Sequence, residues 1–219
     1  MEGKAYSVLS TIYLRLDEFE RAMECSKKQL SIAKEVGDRR GKGSAYLHIG
    51  DVHKSLGDVP RAMEYYKQGL RNAEEIGDSF VQGQAYCRLG NCYRKLHDLK
   101  EAIECYKKHL SMAEEIGETM SEACAHTDLG HSFLQSHSLN EALKHFRCGV
   151  KIYDTIRANS ISEDQLKISF RTLHRCAYTH LWQVLVMLER NDEALYTAER
   201  GRAQALLDAL KVTLSLIHI

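Results

Sequence analysis

The stretch AYLHIGDVHKSLGDVPRAMEYYKQGLRNAEEIGD, Ala45 to Asp78, decides the fold because its pattern returns along the chain. An alanine followed by tyrosine or histidine occurs every 40 residues, at Ala5, Ala45, Ala85 and Ala125. Self-similarity at such a period is typical of stacked supersecondary units, each of which buries its apolar face against its neighbours. The sequence therefore predicts a repeat protein.

Each unit combines small residues with a bulky aromatic residue at fixed offsets. The small residues are Ser10, Gly50, Gly90 and Gly130; alanines follow twelve residues later at Ala22, Ala62, Ala102 and Ala142; aromatics come four further on at Tyr66, Tyr106 and Phe146. Small side chains let two helix axes approach closely, and the rings fill the space that remains. The spacing predicts a hairpin of two closely packed helices in every unit.

Turn and capping residues predict where the helices begin and end. Turn segments at residues 56–58, 96–98 and 136–141 separate the two helices of a hairpin. The second helices are therefore expected to begin near residues 18, 59, 99 and 139. They end in EVGD, EIGD or EIGE, where Gly37, Gly77 and Gly117 can take the left-handed conformation that closes a helix.

A fifth unit is displaced by an insertion. Ala177, Trp182 and Ala194 repeat the internal offsets, but they lie 52 residues after their equivalents instead of 40. The extra residues are expected to lengthen one helix, which would run from about residue 163 to 189 after a capping box at Ser162–Gln165. Trp182 replaces the contact glycine. Because an indole cannot fit into that close approach, this hairpin is expected to pack more openly or against something new.

These offsets match the pattern W-x2-L-G-x2-Y … A-x3-F, and the chain resembles the tetratricopeptide repeat family over nearly its whole length. The resemblance implies an all-α fold, an α-solenoid superhelix of about five helix-turn-helix units. Residues 1–160 would form four repeats, and residues 161–211 a fifth, extended and degenerate repeat with a capping helix. The apolar tail at 212–219 would be the start of a further domain or an artefact. A piece of a longer array is expected, since the first residues already continue a helical pattern.

The C-terminal part carries a second resemblance. KISFRTLHRCAYTHLW at Lys167–Trp182 and EALYTAERGRAQALLDAL at Glu193–Leu210 resemble the junction between repeats and a CHAT domain in proteins of the tetratricopeptide repeat protein 28 type. In that family a caspase-like and separase-like CHAT domain follows this helix. The resemblance implies an alternative function, a substrate-recruiting or regulatory arm of a CHAT-type peptidase whose catalytic domain is absent from this sequence.

Composition argues against several classes of function. The 219 residues include 30 basic and 30 acidic side chains, without the basic excess of a nucleic-acid-binding protein. No apolar run approaches the length of a membrane span and no signal peptide follows Met1, so a cytoplasmic protein is expected. The seven scattered cysteines fit buried thiols in a reducing compartment, and no disulfide is expected.

No residue pattern points to catalysis, a cofactor or a metal. His174 and Cys176 are two residues apart and lie on different faces of a helix, as do Cys124 and His126. Cys176 and His180 lie four apart, but two ligands make an incomplete zinc site, and packing is the favoured interpretation. No glycine-rich phosphate loop occurs. A non-enzymatic protein without cofactors is therefore expected.

The family resemblance places the binding surface on the first helix of each repeat, along the concave side of the array. The positions expected to line it are Lys4, Arg15, Asp51, Lys54, Gln84, Asn91, Arg94, Lys95, His131 and Gln135, with Ser7, Thr11, Ser44, Leu47, Cys87 and Thr127 beside them. Asn91 is the residue type with which the family holds a ligand backbone, because an amide both donates and accepts. Ser7, Leu47 or Cys87 replaces the lysine of the chaperone-binding carboxylate clamp, which disfavours an EEVD-type ligand.

Together these features predict an interaction scaffold that binds a protein partner, a peptide or helix of acidic character, in the groove. The CHAT-associated arm stays open as the alternative, and a Pins-like G-protein regulator would need GoLoco motifs that this sequence lacks. Self-association of the isolated chain is also expected, since the tail VTLSLIHI is an uncharged, β-prone run. Nucleic acids and membranes are not expected as partners.

Overall fold

The computed structural model describes the backbone of residues 2–159 and 166–202 and the side chains of residues 2–158 and 175–202. These residues form helices joined by short turns, and no strand occurs in those ranges. The helices are α1 (Glu2–Arg15), α2 (Phe19–Glu35), α3 (Arg39–Ser55), α4 (Val59–Ile76), α5 (Ser79–Lys95), α6 (Leu99–Ile116), α7 (Thr119–Gln135), α8 (Leu139–Asn159), α9 (Leu166–Met187) and α10 (residues 191–202). The prediction of an all-α fold is confirmed.

The turn and capping residues act as the sequence predicted. α4 begins after Asp58, whose side chain accepts a hydrogen bond from the backbone N–H of Arg61 at 3.2 Å and so satisfies a group that the first turn leaves unpaired. It ends at Gly77, which has a φ of +67°. Asp98 and Gly117 bound α6 in the same way. The second helices begin at residues 19, 59, 99 and 139, so the predicted starts are confirmed.

Contacts divide the chain into two compact units, residues 1–118 (unit 1) and 119–219 (unit 2). In unit 1 the hairpins α1/α2, α3/α4 and α5/α6 pack on one another through α2 against α3 and α4 against α5. α1 also contacts α3 directly, and α3 contacts α5. These three helices therefore form one layer, which we call the inner layer. In unit 2, α8 packs against both α7 and α9.

A glycine and an aromatic ring meet where the two helices of a hairpin cross. A Cβ atom on Gly50 would lie 2.5 Å from Cε1 of Tyr66, a ring that is completely buried. In the first hairpin two small residues replace this pair, and the hydroxyl oxygens of Ser10 and Ser26 lie 2.7 Å apart. The same glycine-to-ring contact joins Gly90 to Tyr106 and Gly130 to Phe146. The close approach predicted from the repeat pattern is confirmed.

The fifth hairpin, formed by α9 and α10, and the helix before it, α8, differ from the earlier repeats. α8 has 21 residues against 18 in α6, and α9 has 22 against 17 in α5, so the insertion lengthens two helices. The expectation that one helix takes all the extra residues is therefore wrong, while the capping box expected at Ser162–Gln165 lies outside the described residues. Trp182 stands at the glycine position with 42% of its surface exposed. Ala198 stands at the aromatic position. This exposure agrees with the more open packing predicted from the indole.

A buried histidine lies in the interior of unit 1. His109 on α6 is 5% exposed and stands where α4 has Gly69 and α8 has Gly149. Its Nδ1 atom is buried without a hydrogen-bond partner among the described residues. Burial lowers the pKa of His109 to about 4, so the ring is neutral at physiological pH.

Replacing Gly50 by alanine is expected to lower the free energy of unfolding by about 1–3 kcal/mol, because the added methyl group overlaps the Tyr66 ring. Urea denaturation followed by circular dichroism measures the change. Gly3→Ala is the matched control, since a Cβ atom there would meet only Cγ2 of Ile32 at 3.9 Å and alanine favours the helix. Equal losses in the two variants would contradict a tight crossing at Gly50.

Acidification is expected to destabilise the protein through His109. The folded state binds the proton with a pKa of about 4 and the unfolded chain with the ordinary value of 6.5, so the unfolded state takes up more protons below that value. The histidine's contribution to stability is therefore complete above pH 6.5 and is lost as the pH falls towards 4. Thermal unfolding across this range measures the slope. His109→Gln, which copies Gln29 at the equivalent position of α2, should flatten it, and an unchanged slope would exclude His109 as its source.

Candidate functional site

The inner layer of unit 1 carries charge of mainly one sign. Glu2 and Asp51 are the only acidic residues of α1, α3 and α5, which otherwise carry lysines and arginines. The even-numbered helices α2, α4 and α6 instead mix lysine, arginine and glutamate along their lengths. A surface of one sign attracts partners of the opposite sign and disfavours others.

Asp51, predicted to contact a ligand, is held by its own neighbours. Its carboxylate accepts hydrogen bonds from Nε of Arg88 on α5, at 3.0 and 3.1 Å, and from the hydroxyl of Tyr66 at 2.7 Å. Burial and the adjacent carboxylate both raise the pKa of Tyr66. Burial alone would lower the pKa of Arg88, but Asp51 beside it raises it. Asp51 therefore joins α3 to α5, and its charge is neutralised within the fold.

Asn91 occupies the equivalent position on α5. Its Oδ1 atom accepts a hydrogen bond from the hydroxyl of Tyr106 at 2.9 Å. Nε of Arg94 donates to the same hydroxyl at 3.3 Å. The Nδ2 group has only a weak contact with Sγ of Cys87, at 3.8 Å, and so keeps a second N–H that can donate to a ligand. Tyr106 thus fixes the orientation of the amide from inside the hairpin.

The five cations that were predicted to line the groove lack a carboxylate partner among the described residues. Lys4, Arg15 and Lys95 are exposed, whereas Lys54 and Arg94 are half-buried. No ion pair joins any of them to a described acidic side chain. Their positive charge therefore remains available to a bound partner.

Leu47 does not line the predicted groove. It was expected to be exposed, but its side chain is completely buried. The cause lies on the partner helix, where Gly69 has no side chain and leaves a space that Leu47 fills; a Cβ atom on Gly69 would lie 2.8 Å from Cδ2 of Leu47. Lys4, Ser7 and Ser44, by contrast, line a cleft of 530 Å³ at the start of α1 and α3. Gln84 is half-buried, and its backbone carbonyl accepts a hydrogen bond from Nη1 of Arg88.

Three polar residues of this region were missed by the sequence analysis. Arg88 holds Asp51, and Nδ1 of His48 lies 2.8 Å from Oε1 of the buried Gln29. Burial lowers the pKa of His48. The 40-residue period offers a signal for Arg88. Arg88 lies three residues after the repeat alanine Ala85, and it faces Asp51, which lies six residues after the preceding repeat alanine, Ala45.

Unit 2 contributes the two remaining predicted positions, His131 and Gln135, at the end of α7. His131 is half-buried and lies in a cluster of rings, with its centroid 5.3 Å from that of Phe146 and 4.1 Å from that of His180. Burial lowers the pKa of His180. Gln135 is exposed. Thr127, one turn before His131, donates its hydroxyl to the carbonyl of Ala123 on its own helix.

The described residues contain neither a metal-binding group nor a membrane-spanning helix. No three of their His, Cys, Asp and Glu side chains lie together in a group that could hold a metal ion. None of their helices combines the length and the apolar character that crossing a lipid bilayer requires.

Comparisons with known proteins agree with the hairpin architecture. The family model for the tetratricopeptide repeat matches residues 2–75 and 82–155. A search of curated proteins finds no match. Among solved structures, BtubC from P. vanneervenii superposes with a TM-score of 0.80 over 94% of this chain and 80% of its own, at 16% identity.

Two other solved structures cover nearly all of this chain. A putative kinesin light chain of Podosopora anserina with TPR-like repeats gives a TM-score of 0.67, at 14% identity over 93% of this chain and 95% of its own. A Rap protein complexed with Competence and Sporulation Factor gives 0.72, at 16% identity over 93% of this chain and 54% of its own. At these identities the likeness concerns the fold alone.

Arg88→Leu is expected to lower the free energy of unfolding by about 1–3 kcal/mol, because Asp51 loses its charge partner in a partly buried site. Arg94→Leu is the matched control. It removes the same charge from the same helix but leaves no carboxylate behind, so a loss of about 1 kcal/mol or less is expected. Guanidinium denaturation measures the free energy of unfolding of both variants. Equal losses would show that the Asp51–Arg88 pair does not stabilise the fold.

Proposed function

This chain belongs to the tetratricopeptide repeat family, and we propose that it is a non-enzymatic scaffold that binds an acidic partner segment along the inner layer of unit 1. The observation that carries the proposal is the charge of that layer. Its only acidic residues are Glu2 and Asp51, and Arg88 neutralises Asp51. An acidic segment gains attraction along the layer and meets little repulsion.

Asn91, Arg94 and Lys95 form the proposed centre of this surface. They lie within about one turn of α5. The free N–H of the Asn91 amide can donate to a backbone carbonyl of the partner, while the two cations pair with its carboxylates. Because Tyr106 holds the Asn91 carbonyl oxygen, the amide is oriented before the partner arrives, which lowers the entropic cost of binding.

The solved structures support a binding role by analogy of fold. The Rap protein is complexed with Competence and Sporulation Factor, and its fold covers 93% of this chain. A cytoplasmic location is part of the proposal, on the ground that all seven cysteines are free thiols.

A second candidate function is the recruiting arm of a CHAT-type peptidase. It rests on the resemblance of residues 167–210 to the repeat-to-CHAT junction and on the departure of the fifth hairpin from the regular pattern, where Trp182 is exposed. Sequencing the transcript beyond Ile219 tests it. A histidine and a cysteine, each following a predicted strand, would favour the peptidase arm, and further repeats or a stop would oppose it.

Binding to the inner layer is expected to depend on Arg94 and Lys95. The probe is a fluorescein-labelled peptide with several glutamates spaced among apolar residues, beside the same peptide with glutamines. Fluorescence anisotropy should show that the glutamate peptide binds, that salt weakens it, and that Arg94→Glu with Lys95→Glu weakens it by about tenfold or more. Capture of protein partners from cell lysate should fall in parallel.

Lys107→Glu with Lys108→Glu is the matched control for charge. Both lysines are exposed on α6, outside the inner layer, and the pair makes the same charge change on an adjacent helix of the same hairpin. This variant should keep its affinity for the glutamate peptide. Equal binding by both double variants, or equal loss in both, would show that the inner layer does not select acidic partners.

A further inference from the structure

Positive side chains from two successive hairpins meet where α3 lies beside α5. The ion pair between Asp51 and Arg88, with N–O distances of 3.0 and 3.1 Å, fixes the register of these two helices. Both helices run in the same direction, because each is the first helix of its hairpin. Lys54 lies about one turn after Asp51 on α3. Asn91 lies about one turn after Arg88 on α5, so the register brings a lysine of one hairpin to the amide of the next.

The thiol of Cys92, the residue after Asn91, agrees with this arrangement. Cys92 is 1% exposed, and burial raises its pKa. The charges of Lys54 on α3 and Lys95 on α5 both act to lower that pKa, so both ammonium groups lie near the same thiol. Arg94 joins them, since its Nη2 lies 3.5 Å from Oδ1 of Asn91. We call Lys54, Asn91, Arg94 and Lys95 the junction cluster.

The junction cluster carries three positive charges without a compensating carboxylate. Among the described residues, no acidic side chain forms an ion pair with Lys54, Arg94 or Lys95. Asp51, one turn before Lys54, is already bound by Arg88. Like charges that lie close together repel one another, so the grouping is unfavourable in the free protein. A bound anion removes this repulsion.

The fold does not require these charges. The position of Lys54 and Arg94 holds leucine in the first and fourth hairpins, at Leu14 and Leu134, which are half-buried like the two cations. Basic residues in the last turn of a helix interact favourably with its macrodipole. However, α7 ends without a basic residue in its last turn. A ligand therefore explains the charges better than the fold does.

A phosphoryl group matches the junction cluster better than a single carboxylate does. A carboxylate brings one negative charge, whereas a phosphorylated side chain carries about −1.5 to −2 at neutral pH and has three strong acceptor oxygens. Arg94 keeps guanidinium N–H groups beyond those that hold Tyr106 and Asn91, and these can donate to phosphoryl oxygens. Nucleic acid is disfavoured as the source of the phosphate, because 30 basic residues are balanced by 30 acidic ones.

We propose that the junction cluster binds a phosphorylated residue of the partner segment. Lys54, Arg94 and Lys95 pair with the phosphoryl oxygens, while the Asn91 amide donates to the backbone of the segment. The inference rests on the proposed function, since the same segment lies along the inner layer. Phosphorylation of the partner then strengthens its binding to this chain.

The probe is the fluorescein-labelled glutamate peptide, remade with phosphoserine in place of each glutamate in turn. Fluorescence anisotropy with the full chain should show that at least one phosphopeptide binds about tenfold tighter than the glutamate peptide. A peptide with two adjacent glutamates in place of that phosphoserine has a similar charge without the phosphoryl oxygens. It should therefore bind more weakly than the phosphopeptide.

Lys54→Gln is expected to weaken the phosphopeptide by about fivefold or more and the glutamate peptide by about twofold or less, because only the phosphoryl group engages both hairpins. Lys67→Gln is the matched control, since Lys67 is an exposed lysine on α4 of the same hairpin. It should leave both affinities unchanged. Thermal unfolding checks that Lys54→Gln folds, as expected because Leu14 shows that an uncharged side chain is accepted there.

Equal binding of the glutamate peptide and all phosphopeptides would overturn this inference and leave the proposed function intact. Equal loss of phosphopeptide binding in Lys54→Gln and Lys67→Gln would also overturn it. Failure of every peptide to bind would overturn both proposals. If a single-stranded oligonucleotide binds as tightly as the phosphopeptide, the cluster recognises the phosphates of nucleic acid and the proposal is wrong.

Discussion

The structure depends on a size match at the point where the two helices of each hairpin cross. Gly50 leaves the space that the Tyr66 ring fills, and a single methyl group at that glycine would overlap the ring. In the first hairpin Ser10 and Ser26 stand at these two positions, and their hydroxyl groups share a hydrogen bond. Because the interior is close-packed, the volume at the crossing is fixed. The size of the residue on one helix therefore limits the size of the residue that it meets on the other helix. The repeat can therefore vary its residues only in compensating pairs.

The same crossing organises the polar chemistry of the inner layer. Because the glycine has no side chain, the tyrosine ring passes it and brings its hydroxyl to the next residue along the first helix, Asp51 in one hairpin and Asn91 in the next. Asp51 then receives Arg88 from the following hairpin. A packing contact inside one hairpin thus leads to an ion pair between two hairpins, and this pair removes an acidic charge from an otherwise basic layer.

Repeat proteins bury apolar surface mainly between neighbouring repeats. The first helix of a hairpin packs against the preceding hairpin, and its second helix packs against the following one. Val52 on α3 and Cys92 on α5 are buried, and these helices pack against α2 and α4 of the preceding hairpins.

The sequence by itself determined the helices and their pairing. Asp58 and Gly77 act on backbone groups within a few residues, and the spacing of alanine, glycine and tyrosine repeats along the chain, so the information is local or periodic. The family resemblance also placed the first helices of the repeats along one side, and α1, α3 and α5 do contact one another in unit 1. The sequence did not reveal that Leu47 is buried, because the space that Leu47 fills is left by Gly69 on another helix.

Nor did it assign Asp51 to the fold rather than to a ligand, because the guanidinium that neutralises it lies 37 residues away in sequence. It also did not show that the insertion lengthens α8 as well as α9. Capping and periodicity are read from neighbours in the chain, whereas burial, ion pairing and shifts in pKa depend on groups that meet only when separate helices pack together.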